Sequence, residues 1–265
     1  MRFLYSIVSL LIFVHHVSAD EPSIRTQAVL ATYRLEHPKT SGTGFIVSRP
    51  SSADQEGKEL LLVTTAHTFE KMDGNRASIV LRKLGTNGEW MASPTELVIR
   101  EAEKPLWHKH PKYDVAVMRL TTQKGADPYS VPLTTLANAK DWQGSQLEPG
   151  SFIRCIGFPH AAQFKPSKAG FPMTRLGCIA SFPLSPFTKH PTFIVDYNVF
   201  EGDSGGPVYF AESGGSVKII GLVQAQHFLD ERFKMVYQEG LFRKRLGLAI
   251  IVNSQAILAT IESLP

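Results

Sequence analysis

From residue 28 onward the chain is a succession of short apolar or alternating runs, each closed by turn residues, and this limits the fold more than any other feature. The runs cover Ala28–Leu35, Gly44–Val47, Leu60–Thr65, Ala77–Leu81, Leu97–Arg100 and Val115–Leu120. A stretch from Thr121 to Gly150 then carries Gly, Pro, Ser, Asn and Asp at close intervals, which reads as a loop. Further runs follow at Phe152–Gly157, Met173–Ser181, Thr192–Asp196, Pro207–Phe210, Val217–Gln226, Lys234–Gln238 and Gly247–Val252. Short runs bounded by Gly, Pro, Asn and Ser are strand signals. The pattern predicts an all-β fold of two six-stranded antiparallel β-barrels packed together. The first barrel is expected over about 20–120, a linker over about 121–150 and the second barrel over about 151–252. A short terminal helix over about 253–263 follows, capped by Asn253 or Ser254, with Ile257, Leu258 and Ile261 at helical spacing.

The first nineteen residues read differently. Arg2 precedes an apolar run from Phe3 to Val14, and Val17-Ser18-Ala19 places small residues at a cleavage position. That is a secretory signal peptide over 1–19. The run is shorter than the ~20 apolar residues a bilayer span needs. The expected location is therefore secreted or periplasmic, with residues 20–265 as the mature domain and no later membrane span.

Net charge is +4, and loss of Arg2 lowers it to +3. The basic residues Arg232, Lys234, Arg243, Lys244 and Arg245 read as a solvated loop. No basic stripe interleaved with aromatics is present, so nucleic acid is not an expected partner. Cys155 and Cys178 are the two cysteines, and they form no metal-ligand pattern. In an oxidising compartment they either bridge or stay as separate thiols. No metal or cofactor is expected.

Three local strings carry chemistry. Gly202-Asp203-Ser204-Gly205-Gly206-Pro207 surrounds a serine with residues that let backbone N–H groups converge. A serine hydroxyl needs a base to take its proton. His67 follows Leu61-Leu62-Val63-Thr64-Thr65-Ala66, which places an imidazole at a strand end. Asp114 opens the apolar run Val115-Ala116-Val117-Met118, where a carboxylate is costly unless paired. The order is His, Asp, Ser, with gaps of 47 (67 to 114) and 90 (114 to 204) residues. Worked triads of this order have gaps of about 45 and about 93.

Thr64-Thr65-Ala66-His67, Asp114–Met118 and Gly202–Pro207 together resemble the signature blocks of trypsin-like, chymotrypsin-fold serine proteases. Ser41–Val47, Ile153–Pro159, Arg175–Ser181, Asp196–Pro207 and Gly247–Ile250 are similar to bacterial secreted and Deg-type protease domains, here expected without a PDZ domain. The resemblance implies that His67 is general base, Asp114 orients it and Ser204 is nucleophile. It implies an oxyanion hole along Gly202, Asp203 and Ser204, with the amides of Gly202 and Ser204 as donors. It places substrate-binding residues at Asn198, Val199, Gln224, Ala225 and Gln226. The neutral Asn198, where trypsins have an aspartate, implies an uncharged residue before the cut bond. Substrates would be proteins or peptides.

Asp203 stands where animal trypsins pair an aspartate with a new Ile-Val-Gly-Gly N-terminus, and no such string lies near residues 20–45. Either another group pairs with Asp203 or the cleaved end serves differently. The Gly-x-Ser-x-Gly string also fits an α/β-hydrolase esterase. That fold needs its acid and then its histidine after the serine, and only His227 follows Ser204. The remaining rival is a catalytically silent binding protein on the protease fold.

Overall fold

The computed structural model describes residues 22–51, 57–121, 127–144, 147–160, 168–211 and 216–265. The expected signal peptide, 1–19, lies outside them.

The first half holds helix α1 (Ile24–Leu30), strands β1 (Thr32–His37), β2 (Thr40–Pro50) and β3 (Lys58–Thr64), helix α2 (Ala66–Glu70), and strands β4 (Arg76–Leu84) and β5 (Trp90–Val98). The short strands β6 (Arg100–Glu101), β7 (Lys104–Pro105) and β8 (Trp107–Lys109) lead to β9 (Ala116–Arg119). After β10 (Val131–Pro132) and helix α3 (Ala139–Gly144) come β11 (Phe152–Gly157), β12 (Met173–Ile179), β13 (Thr192–Asp196), β14 (Pro207–Ala211), β15 (Val217–Met235) and β16 (Gln238–Asn253). Helix α4 (Ser254–Glu262) ends the fold.

Strands β11–β12–β13–β16–β15–β14 close into a six-stranded barrel. In the first half the strands form an eight-stranded sheet in the order β5-β4-β1-β2-β3-β9-β8, with β10 added in parallel to β2. The all-β architecture thus holds with a closed second barrel. The first half departs from the expected six-strand ring, because β8 and β5 end the pairing path.

Each half has its own core, built around Tyr33, Leu62 and Phe69 in the first and around Ile153, Phe193 and Ile251 in the second. A third cluster lies in the seam and joins Phe45, Leu61, Val63 and Val117 to Ile156, Tyr209, Leu222 and Val252. Ala256, Ile257 and Ile261 of α4 pack into the same cluster. Each large side chain buried there contributes about 1.5–3 kcal/mol relative to exposure. The seam is therefore a core in its own right and holds the halves in fixed register. Asn253 is the helix cap, accepting from the Gln255 amide at 2.9 Å.

Four local expectations are corrected. Residues 28–30 are the end of α1 and not a strand, because Ser23 caps a helix whose Ala28 packs with Ala31 in the seam. The run expected over Leu97–Arg100 instead ends a longer strand, Trp90–Val98, whose Pro94 an edge strand paired on one side only can tolerate. The linker is not all loop, since β10 and α3 fall within it. The basic residues after 231 lie on a hairpin of β15 and β16, not in a loop, and β15 runs unbroken through 217–235.

Candidate active site

Register places the histidine and the aspartate together. Strand β3 pairs with β9 so that Thr64 faces Ala116, two residues beyond Asp114. The chain leaves β3 into α2, and His67 lies in the first turn of that helix. Asp114 Oδ2 lies 2.6 Å from His67 Nδ1, and the His67 amide donates to Oδ1 at 2.9 Å. Burial by itself would raise the Asp114 carboxyl. The hydrogen bonds and charge of His67 outweigh it and hold the group below the ordinary aspartate value. An acceptor-only carboxylate fixes the ring proton on Nδ1, which leaves Nε2 as the basic atom.

Ser204 comes from the loop between β13 and β14, in the other half of the molecule. The loop is tied down at every step. The Gly205 amide donates to Val223 O at 2.8 Å and the Gly206 amide to Asp203 O at 2.9 Å. From the first half, the Thr43 amide donates to Ser204 O at 2.9 Å and Thr43 Oγ1 to Gly202 O at 2.6 Å. Gly205 has φ +88°, and a Cβ there would lie 2.1 Å from Thr43 O. Only glycine fits a backbone held that close in that conformation.

Among the described residues the amides of Gly202 and Ser204 make no hydrogen bond, so both are open to an acceptor in the cleft. The Asp203 amide donates to Phe200 O at 3.1 Å and is not available. Of the three expected members of the oxyanion hole, two can donate. The Ser204 hydroxyl donates to Gln224 O at 3.1 Å rather than to His67.

Asp203 has a partner that the sequence reading missed. Its side chain is 1% exposed and pairs with Arg175 Nη2 at 2.5 Å, while Arg175 Nη1 donates to Asn198 O at 3.0 Å. The Arg175 guanidinium also lies 4.6 Å from the centre of the Tyr197 ring. The Phe200 amide donates to Asp203 Oδ2 at 2.8 Å. Burial pushes the Asp203 carboxyl above the ordinary range, and Arg175 and the Phe200 amide pull against it. The sequence alone leaves the inward face of β12 ambiguous, because Leu176 and Cys178 are as apolar as the set that turns inward. Arg175, Gly177 and Ile179 alternate on β12, and Gly177 and Ile179 are buried, so Arg175 points inward and needs an acid.

His67, Asp114 and Ser204 line one cleft of about 500 Å³. Thr40, Ser41, Thr68 and Lys71 line it on the histidine side. Val199, Gly202, Gln224, Ala225, Gln226, Phe228 and Arg245 line the other. Asn198 is exposed and is not part of that lining. Its carbonyl instead fixes Arg175, so its neutral side chain does not set the character of the cleft.

Both cysteines are free thiols. Cys178 pairs across the ladder with Phe152, and Cys155 with Arg175. Position 155 is three along from 152, an odd step, so the two thiols point to opposite faces of the β11–β12 pair and cannot bridge.

Residues 42–219 match the model of the trypsin-like peptidase domain family. The chain belongs to that family. Among solved structures it is similar to the Rv3671c protease in its inactive form, at 15% identity and TM-score 0.49, covering 90% of this chain and 91% of that one. A serine-to-alanine mutant of Rv3671c from M. tuberculosis H37Rv, also an inactive form, aligns at 13% identity and TM-score 0.48, with 93% of each chain covered. No curated protein matches the chain.

Proposed function

We propose that the chain is a serine endopeptidase of the secreted or periplasmic space that hydrolyses peptide bonds through an acyl-enzyme. The observation that carries this reading is the Asp114–His67 pair at 2.6 Å in the same cleft as Ser204 and the two open amides. In the reaction, the Ser204 hydroxyl leaves Gln224 O by rotation about χ1 and gives its proton to His67 Nε2. Its oxygen attacks the scissile carbonyl, and the new oxyanion is received by the Gly202 and Ser204 amides. His67 then donates the proton to the leaving amine, and water repeats the sequence on the acyl-enzyme. Asp114 keeps the imidazole oriented and stabilises its charged form. The uncharged preference before the cut bond rests on Val199, Ala225 and Gln226 lining the cleft, with the opposite charges of Glu201 and Arg245 lining it too.

A second reading, a catalytically silent binding protein, is favoured by one observation: the Ser204 hydroxyl is bonded to Gln224 O and not to the base. A fluorophosphonate probe separates the two. Labelling at Ser204, with turnover of a peptide substrate falling about 10⁶-fold in Ser204→Ala, is the expected result. An unlabelled, folded protein with no peptidase activity would leave the silent reading.

A further inference from the structure

The sheet of the first half has a gap in it. Among the described residues β5 pairs only with β4, and β9 pairs with β8 no further than Met118. One lace joins the two sides: the Leu106 amide donates to Ile99 O at 3.0 Å. Beyond it the sides part, and a cavity of about 450 Å³ lies between β5 and the end of β9. That size is within the ~300–1,000 Å³ of small-ligand sites.

The walls are the core of the first half laid open. Ile79, Leu97 and Met118 belong to that core, and Leu81 and Leu120 pack against it while lining the cavity. Ile79, Leu81 and Lys83 alternate on β4, so they share one face. Leu97, next to the laced end, pairs with Ala77 across the ladder. Lys83 is six residues further along β4, about 20 Å at the rise of a strand. The slot is therefore long and apolar, with Lys83 at its far end.

Four charges stand at the rim: Lys83, Glu96, Glu101 and Arg119. Glu96 pairs with Arg76 and Arg119 with Glu59. Glu101 faces Lys104 across the β6–β7 ladder. Lys83 is exposed, faces Met91, and has no ion-pair partner among the described residues. It is the rim charge that lacks an opposite neighbour. The outer edge of β5 carries Pro94 at its middle. Proline has no N–H to give, so an added strand finds no continuous run of donors there. A ligand in the slot is held through side chains instead.

We propose that the gap is a binding site for a single-chain anionic amphiphile, a free long-chain carboxylate. Its apolar tail lies along Ile79, Leu81, Leu97 and Leu120, and its headgroup meets Lys83. Burial of the tail supplies the affinity, and the charge-assisted contact with Lys83 fixes its direction. The site shares no residue with the cleft of His67 and Ser204, so it stands apart from the peptidase reading.

Isothermal titration calorimetry of the full chain tests this with octanoate, decanoate and dodecanoate, each below its micelle concentration. One saturable site is expected, tightening about fourfold per methylene added. Dodecyltrimethylammonium has the same tail with a cationic head, and it should bind about tenfold more weakly than dodecanoate. Lys83→Glu should invert that order. The substitution is on an exposed side chain and leaves the apolar walls in place, so a folding defect does not mimic the inversion. Thr95 lines the slot and is half-buried, and Thr95→Phe should fill it and abolish binding of either amphiphile, with an unchanged circular dichroism spectrum. No saturable binding of any carboxylate, an affinity that does not rise with chain length, a headgroup preference unmoved by Lys83→Glu, or full binding in Thr95→Phe overturns the site. Binding to phosphatidylglycerol vesicles with none to dissolved dodecanoate overturns it in favour of a membrane surface.

Discussion

The guanidinium of Arg175 holds the carboxylate of Asp203 at 2.5 Å, on the residue just before Ser204. The same guanidinium holds Asn198 O, so one side chain fixes both ends of the loop that carries the two open amides. Arg175→Met should leave a buried carboxylate uncompensated, at a cost of about 3–5 kcal/mol. Relaxation of the loop should also misplace an oxyanion donor, for a loss of about 10²–10³ in kcat. Arg175→Lys should recover part of the activity, because a single ammonium cannot hold both acceptors in one plane. Burst titration of active sites beside circular dichroism checks this. Full kcat in folded Arg175→Met protein would contradict it.

Replacing Asp114 by Asn offers an amide where the carboxylate meets two N–H donors. The imidazole then adopts the wrong tautomer, and kcat should fall about 10⁴-fold with little change in KM. Single-turnover kinetics on a peptide substrate checks the split between the two.

The same residue makes a pH prediction. The folded Asp114 carboxyl lies below its ordinary value, so the unfolded chain binds a proton more readily there. Its contribution to stability is fully present above the unfolded value of about 3.9 and is lost as pH falls through the folded value. The difference in unfolding free energy between wild type and Asp114→Asn should therefore shrink between about pH 5 and about pH 2. Urea titrations across that range measure it, and a difference independent of pH would count against the ion pair.

The thiols should differ in reactivity. Cys178 is partly exposed, whereas burial pushes the Cys155 thiol well above its usual value. In the native protein a maleimide should modify Cys178 alone, and Cys155 should react only in denaturant. Mass spectrometry reads both. A mass that rises by two protons on reduction would reveal a bridge.

Asn198→Asp should not create a preference for Lys or Arg before the cut bond, because the side chain lies outside the cleft. A cleavage profile over a peptide library tests this. A gain of about tenfold for basic residues would return Asn198 to the pocket.

The sequence was informative where chemistry is local. Thr64–His67, Asp114–Met118 and Gly202–Pro207 could be read as a set, because their order and spacing are visible along the chain, although each alone fits an ordinary strand end, strand start or glycine-rich turn. Arg175 could not be read so easily. Its role depends on β12 carrying it against a loop 28 positions away along the chain, from 175 to 203. Residues 28–30 are a continuous apolar run that reads as the start of a strand, yet a cap five positions upstream of Ala28, at Ser23, decides for helix. The hairpin of β15 and β16 escaped notice because it buries little, so its charged residues gave the composition of a loop.

Thr43 has a wider consequence. It belongs to β2, yet it bonds Ser204 O and Gly202 O in the opposite half, while Phe158 N donates to its hydroxyl at 3.2 Å. On the peptidase reading, the base and its acid, His67 and Asp114, come from one half and the nucleophile, Ser204, from the other. Neither half can therefore cut anything until the seam has closed and Thr43 has been engaged from both sides. A chain caught partway through folding, with one half formed, is harmless to its neighbours. On that reading the ability to cut belongs to the closed seam and to neither half by itself.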